Sequence, residues 1–408
     1  MLVAGTAAGQ VIVVAASPIL TRLYDPEEFG VLAVYAAILG IIAMVGNLSY
    51  EFAIPLPRGE AQAANILGVS LGAAVVVTAA SALLVWAFGD RIAVWTGTPA
   101  LRPYLWLIPV GVLLAAGYRA WSYWAIRTRS FSLIAGTRLR QGFGSVGVQL
   151  GMGAAGTGPV GLILGQIVGQ VAGVGSLMRG ARSVSPDLLR HVSWRRMRWA
   201  ARRYRRFPAI YSWAGLANGL GLRSPAVLLA ALHGPGAAGT LLLAERVVGM
   251  PMKLVGSAVG QVYLAKAADL AVSDRAAFHR LFRRLTVRLV LLGGLGAAIV
   301  AIGGPRVFTL ALGGEWGTVG TYVRILAAMY VAQFTVGPVS QTLAVLEMQG
   351  VKLAWEIVRL AAVAGAFALA WLRGLDAVGT LVVYAALSTA SLVLLLYVTD
   401  HSIPRTPE

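Results

Sequence analysis

The chain has 408 residues, 58% hydrophobic and only 12% charged, with a formal net charge of +18. That charged fraction is half the roughly 25% of a soluble domain, and repeated apolar runs of bilayer-crossing length point to a polytopic membrane protein. With no cysteine, and with His191, His233, His279 and His401 scattered, thiol redox chemistry and Cys- or His-based metal sites are excluded, and no cofactor or metal is expected.

Apolar segments bounded by Gly, Pro and charges predict twelve spanning helices. They lie near 2–21, 30–54, 63–88, 101–126, 132–153 and 158–178, then near 207–232, 238–264, 284–304, 318–346, 352–373 and 377–398. The first begins almost at Met1, without a basic n-region or a small-residue cleavage site. It reads as a span, not a signal peptide, behind a start expected to be truncated. Ser17-Pro18 falls inside it, where proline removes a backbone hydrogen bond and bends the helix. Pro26-x-x-x-Gly30 then joins spans one and two. Asn47-Leu-Ser49 matches a glycosylation acceptor but sits in a predicted span and is set aside. Gly142-Phe-Gly144-Ser-Val-Gly147 matches a dinucleotide fingerprint, yet no strand precedes it, so it is discarded. In span six, Gly161, Gly165, Gly169 and Gly173 recur every four residues, a face suited to close helix packing.

Between spans six and seven lies "SWRRMRWAARRYRRF" (193–207). Trp194, Met197, Ala201 and Tyr204 are placed on one helical face among arginines, as in a helix lying on the inner leaflet; a topology determinant alone is the equal alternative. Its position between spans argues against nucleic acid as a partner. Span seven repeats the earlier punctuation: Ser224-Pro225 lies inside it, and Pro235-x-x-x-Gly239 leads to span eight. Gly158-Pro-Val-Gly161 and Asp376-Ala-Val-Gly379 open spans six and twelve in the same manner. These pairs suggest a parallel duplication about an axis along the membrane normal. The expected organisation is an all-α integral membrane protein of two six-helix bundles related by a pseudo-two-fold. The bundles span 1–178 and 207–398, with a basic linker at 179–206 and a tail at 399–408.

Loops after even-numbered spans hold Arg58, Arg127 and Arg129, ten arginines from Arg179 to Arg206, Lys266, Arg275, Arg280, Arg283, Arg284 and Lys352. Loops after odd-numbered spans hold only Arg22, Arg91, Arg102, Arg306 and Arg373. By the positive-inside rule the even loops and both termini are cytoplasmic. The outward loops are short, which argues against a polymerase or ligase built on large outer loops.

Ionisable groups at bilayer depth cost about 2.5–3.5 kcal/mol each on insertion scales and usually face a cavity. Cations outnumber acids among them, and guanidinium groups suit phosphate better than a cationic drug. The candidate cavity cations are Arg22, Arg223, Arg246, Lys253, Arg119 and Arg138. Arg22 has a competing reading as an outer-interface anchor, and Arg119 as a side chain reaching inward from the end of span four. Glu245, Glu356 and Glu51 are the candidate ion-coupling acids, of which Glu245 is the first choice. Glu356 and Arg359, three apart, are expected to pair on one helix face.

"SPILTRLYDPEEFG" (17–30), "YEFAIPLP" (50–57) and "YWAIRTRSF" (123–131) resemble the N-terminal half of bacterial oligosaccharide flippases, the polysaccharide-transport branch that includes O-antigen, Wzx-type exporters. "RRFPAIYSW" (205–213), "AERVVGMPMKLVGSAVGQVYL" (244–264) and "GGEWGTVG" (313–320) resemble the second half. The resemblance implies the fold of the multidrug/oligosaccharidyl-lipid/polysaccharide exporter superfamily. It also implies movement of a polyprenyl-diphosphate-linked oligosaccharide from the inner to the outer leaflet of the bacterial cytoplasmic membrane, for lipopolysaccharide, O-antigen or exopolysaccharide. Membrane lipids, glycosyltransferases and a polymerase are the implied partners. Glu245 departs from the glutamine usual at that position. The expected function is therefore a transporter, not an enzyme. The alternatives are a drug/cation antiporter of the same fold, a membrane glycan polymerase or ligase, and a glycosyltransferase scaffold.

Overall fold

The structure, a computed structural model, describes residues 2–186 and 188–403. Each of the twelve predicted segments is helical, and no strand occurs among the described residues. The helices of the first part are α1 (Leu2–Ala15), α2 (Ser17–Leu23), α3 (Pro26–Met44), α4 (Glu60–Trp95), α5 (Leu107–Arg127), α6 (Phe131–Ala154), α7 (Pro159–Val184), α8 (Trp194–Arg203), α9 (Ser212–His233) and α10 (Pro235–Ala244). The second part holds α11 (Met250–Ser273), α12 (Arg275–Leu312), α13 (Gly317–Val339), α14 (Thr342–Val345), α15 (Gln349–Arg373) and α16 (Ala377–His401). The expected tail begins inside α16, and its residues 404–408 lie outside the described residues.

Among the described residues, nine helices are long and apolar enough to cross a membrane. The three remaining segments are the first, divided at Ala16, and α5 and α6. Arg119 interrupts the apolar run of α5, and Arg138 and Arg140 interrupt that of α6. The break at Ala16 falls just before Ser17-Pro18, where the proline was expected to act; Ser17 Oγ donates to the Val13 carbonyl at 3.1 Å. The helix at Pro225 continues without interruption.

Contacts divide the chain into two compact units, Met1–Gly239 and Thr240–Glu408. In the first unit α9 packs along α3 and α7 along α6. The four span-six glycines lie at such helix contacts. An added Cβ at Gly165 or Gly169 would strike the backbone of α6, at the Ser145 and Gln141 carbonyls respectively. A core of Ile66, Leu67, Ala120, Trp121, Trp124 and Leu177 joins α4, α5 and α7. In the second unit α12 packs on α13, and α16 on α13 and α15.

The start of α3 is set by its sequence. Asp25 Oδ1 accepts from the Glu28 amide at 2.8 Å, Glu28 Oε2 accepts from the Asp25 amide at 3.0 Å, and Pro26 takes the first helical position. This helix start meets that of α10. A Cβ on Gly30 would overlap the Pro235 backbone, and one on Gly239 would overlap the Pro26 carbonyl. The two Pro-x-x-x-Gly motifs thus pack reciprocally, each glycine under the other's proline.

One expectation is corrected. The second span does not continue to residue 54. α3 stops at Met44, where Val45 and Gly46 turn with i→i+3 bonds to Ile42 and Ala43, and the left-handed backbone at Leu48 (φ 48°) and Ser49 (φ 58°) keeps the α-helix from resuming before the Tyr50–Ala53 3-10 turn. In the linker, α8 docks through Ala200, which is 3% exposed and enters the core, and leaves Trp194 78% exposed, as a side chain lying on a leaflet would be. Asn65 fixes the linker from α4. Its Nδ2 donates to the His191 carbonyl at 2.8 Å and its Oδ1 accepts from the Ser193 amide at 3.0 Å.

Candidate functional site

The candidate residues fall into both units. In the first, Arg22 is exposed and its Nη1 donates to the Pro18 carbonyl one turn earlier, at 2.5 Å. Arg223 is exposed; its Nη1 donates to the Ala36 carbonyl at 3.5 Å, and its guanidinium lies over Gly40, which has no side chain to obstruct it. Arg138 stacks over the Tyr118 ring with 4.9 Å to the centroid. Arg119 projects from α5 to the turn after α3. Its Nη1 lies 3.3 Å from Glu51 Oε1 and 3.3 Å from the Met44 carbonyl. Glu51 is fully buried, so this pair holds a carboxylate that water cannot reach.

Neighbouring groups extend that cluster toward the linker. The Tyr50 hydroxyl donates to the Ala201 carbonyl of α8 at 3.2 Å. Arg127 donates to the Pro57 carbonyl and, at 3.1 Å, to the Arg58 carbonyl. The turn between α3 and α4 is thus held from α5 and α8 together.

In the second unit Glu245 and Arg246 open a π-helical stretch, Glu245–Gly249, between α10 and α11. A π turn inserts one residue and rotates the downstream residues by about 100° relative to an unbroken helix. Arg246 is buried there. Glu356 and Arg359 form the expected pair along α15, Oε2 to Nη2 at 2.5 Å. Arg359 also sits over the Trp355 ring, 5.1 Å from its centroid, and Trp355 Nε1 donates to the Ser391 carbonyl at 2.9 Å.

After the π turn, α11 and α13 enclose a cavity of about 340 Å³. Its α11 wall carries Lys253, Ser257 and Gln261, spaced four apart on one helix face. The opposite wall carries Gln333, Gly337 and Gln341, also four apart. Gly260 lets α11 approach, since a Cβ there would lie 3.3 Å from Pro338 Cα, whereas one at Gly256 would sit at an ordinary 3.8 Å from the Phe334 ring. One ammonium, three carboxamides and two hydroxyl-bearing side chains, Ser257 and Tyr330, therefore line a space that is otherwise apolar. Carboxamides donate and accept together, as sugar hydroxyls do, and the ammonium suits an anion. Of these groups, charge in an apolar stretch singles out Lys253 from sequence. Ser257, Gln261, Gln333 and Gln341 carry no charge and escape that criterion; their i, i+4 spacing is the signal that could have found them.

Among the described residues no cluster of His, Asp and Glu could hold a metal ion.

Comparison with known proteins places this geometry. The helical architecture is shared with an inward-facing multidrug resistance MATE family transporter of the MOP superfamily: TM-score 0.78 at 13% identity, covering 97% of this chain and 94% of that one. The lipid II flippase MurJ, in an inward closed conformation, aligns with TM-score 0.75 at 10% identity over 97% and 87% of the two chains. A MOP superfamily transporter from Pyrococcus furiosus gives 0.56 at 13% identity over 98% and 94%. These likenesses establish an all-α membrane fold of the MOP type. No curated protein sequence matches. A family model described as polysaccharide biosynthesis protein matches residues 19–319, about three quarters of the sequence, and the chain belongs to that family.

Proposed function

We propose that this protein is a flippase that carries a polyprenyl-diphosphate-linked oligosaccharide from the cytoplasmic to the outer leaflet of a bacterial cytoplasmic membrane. The observation that carries the reading is the second-unit cavity, where Lys253 faces a space shared with three glutamine amides. The family match to polysaccharide biosynthesis proteins and the fold shared with a lipid II flippase support it. The acids support it as well. Glu51 and Glu356 are engaged by Arg119 and Arg359, which leaves them poor ligands for a cationic drug. Glu245 is the remaining candidate for coupling to an ion.

Transport proceeds by alternating access, with the two bundles moving around the cargo and both termini cytoplasmic. Cationic side chains, among them Lys253, Arg246, Arg22, Arg223 and Arg138, neutralise the diphosphate as it passes, while the Arg119 charge is balanced by Glu51. An inside-negative potential assists outward movement of an anionic head by about 2.3 kcal/mol per charge per 100 mV. The product serves surface polysaccharide of the O-antigen, lipopolysaccharide or exopolysaccharide kind, beside the glycosyltransferases that build the glycan and a polymerase that extends it.

The test is reconstitution. Purified protein in liposomes should move a fluorescent polyprenyl-diphosphate sugar to the leaflet accessible to a membrane-impermeant quencher. Lys253→Ala should slow this about tenfold, the cost of one charge-assisted contact. Export of a cationic dye against a proton or sodium gradient, with no movement of the lipid-linked sugar, would replace this reading by a drug/cation antiporter.

A further inference from the structure

The polar cavity has an apolar counterpart on the other side of the same three side chains. Met252, Tyr330 and Phe334 line both the polar cavity and a groove of about 360 Å³ between α11, α12 and α13. The groove has no charged lining residue. Val255, Leu292, Gly296, Val300, Val323 and Ala327 form its walls. Val255 and Leu292 are 54% and 62% exposed, so the groove has open, apolar edges.

We propose that cavity and groove are the two halves of one amphiphile site: a polyisoprenyl chain lies in the groove and its diphosphate-sugar head lies in the polar cavity, with Met252, Tyr330 and Phe334 as the divide. The inference rests on the reading that the cargo is lipid-linked, and it adds where the tail goes. Three features favour an isoprenoid. Beside the cavity the groove is a single channel with room for the first few isoprene units of one chain, whereas a diacyl lipid would leave its second chain outside. The small residues Gly293, Gly296 and Ala297 along α12 widen the groove, which suits a chain bearing a methyl branch at every repeat. The head pocket directly beyond the divide holds one cation and several amides, which match a phosphate carrying a sugar. Burying apolar chain in such a groove is favourable by about 0.8 kcal/mol per methylene relative to water. Against bilayer lipid the gain comes instead from fit, so a groove filled by a side chain should lose it.

Gly296 supplies the experiment. A Cβ added there meets nothing within 4 Å, and the same holds for Gly294, which lies on the same helix but does not line the groove. Gly296→Leu should fill the groove, and Gly294→Leu should make the same kind of helix change without filling it. Full-length protein in nanodiscs would be titrated with undecaprenyl diphosphate and with undecaprenol, read by native mass spectrometry. Gly296→Leu should weaken both ligands about tenfold relative to Gly294→Leu. Lys253→Ala should weaken the diphosphate and leave the alcohol unchanged. Phosphatidylglycerol should not displace the diphosphate. If Gly296→Leu fails to accumulate, Val255→Trp at the groove edge gives the same readout. Equal binding by Gly296→Leu and Gly294→Leu, or displacement by an equal amount of phosphatidylglycerol, would overturn the tail assignment while leaving flipping intact. A wild-type protein that binds no polyisoprenyl diphosphate would overturn the flippase reading and the tail site with it.

Discussion

At the scale of residues, the Arg119–Glu51 pair shows how burial changes the meaning of a charge. Sequence alone offers Arg119 as a cavity cation and Glu51 as a coupling acid, since each is an ionisable group in an apolar stretch. The structure joins them at 3.3 Å, with Glu51 fully enclosed and Arg119 partly open. Removing one partner of such a pair strands the other, at a cost on the order of 3 kcal/mol, less where solvent reaches the survivor. Arg119→Ala, which strands the enclosed carboxylate, should therefore lower the thermal unfolding temperature in detergent more than Glu51→Gln does. The double variant Glu51→Gln/Arg119→Met should recover much of the loss. An additive double variant would show that the pair is not coupled. The pairing was not legible in sequence because the partners are 68 residues apart and meet only through a left-handed turn at Leu48 and Ser49. The Glu356–Arg359 pair was legible, because three-residue spacing on a helix is itself the geometry.

At the scale of elements, the repeated Pro-x-x-x-Gly punctuation becomes a contact. Gly30 and Gly239 are each pressed against the backbone of the opposite helix start, and backbone cannot move aside as a flexible side chain can. Gly239→Ala should cost about 1–3 kcal/mol as an overpacking change. Gly236→Ala is its control, since a Cβ there would sit at an ordinary 3.8 Å from Glu27 Cγ. Thermal unfolding of the two variants separates the possibilities; equal melting would mean that the helix starts part freely. The twelve helical segments were readable because apolar runs of span length leave a chain few alternatives. The π turns at Phe207–Tyr211 and Glu245–Gly249 were not readable, since nothing in the local composition distinguishes an inserted residue from an ordinary turn. That insertion helps decide which face of α11 meets α13, so the amide-lined cavity was hidden along with it. The docking of the linker was not readable either, since it is set by the small Ala200 and the Asn65 clamp, neither of which stands out in the sequence.

At the scale of the whole molecule, the charge asymmetry of alternate loops is the feature most open to direct measurement. The natural chain lacks cysteine, so a single introduced thiol is a clean reporter. Val272→Cys, in the last turn of α11, and Ala155→Cys, just after α6, place exposed thiols beyond an even and an odd span. In intact cells a membrane-impermeant maleimide should label Ala155→Cys and spare Val272→Cys until the membrane is opened. The reverse pattern would invert the topology and with it the direction of transport. Length has a further consequence near Val272. α12 has 38 residues, about 57 Å, against a hydrocarbon core of about 30 Å. α11 ends one residue before it, and the lone connecting residue, Asp274, caps α12 by accepting from the Ala277 amide at 2.8 Å. Phe278 and Phe282 anchor the hairpin base against Tyr263. Such a stiff, tightly closed post is a natural graft point: a small folded domain spliced in at Asp274 through two continuous helices would tumble with the carrier, giving single-particle images a rigid marker on a protein otherwise hidden by its detergent belt.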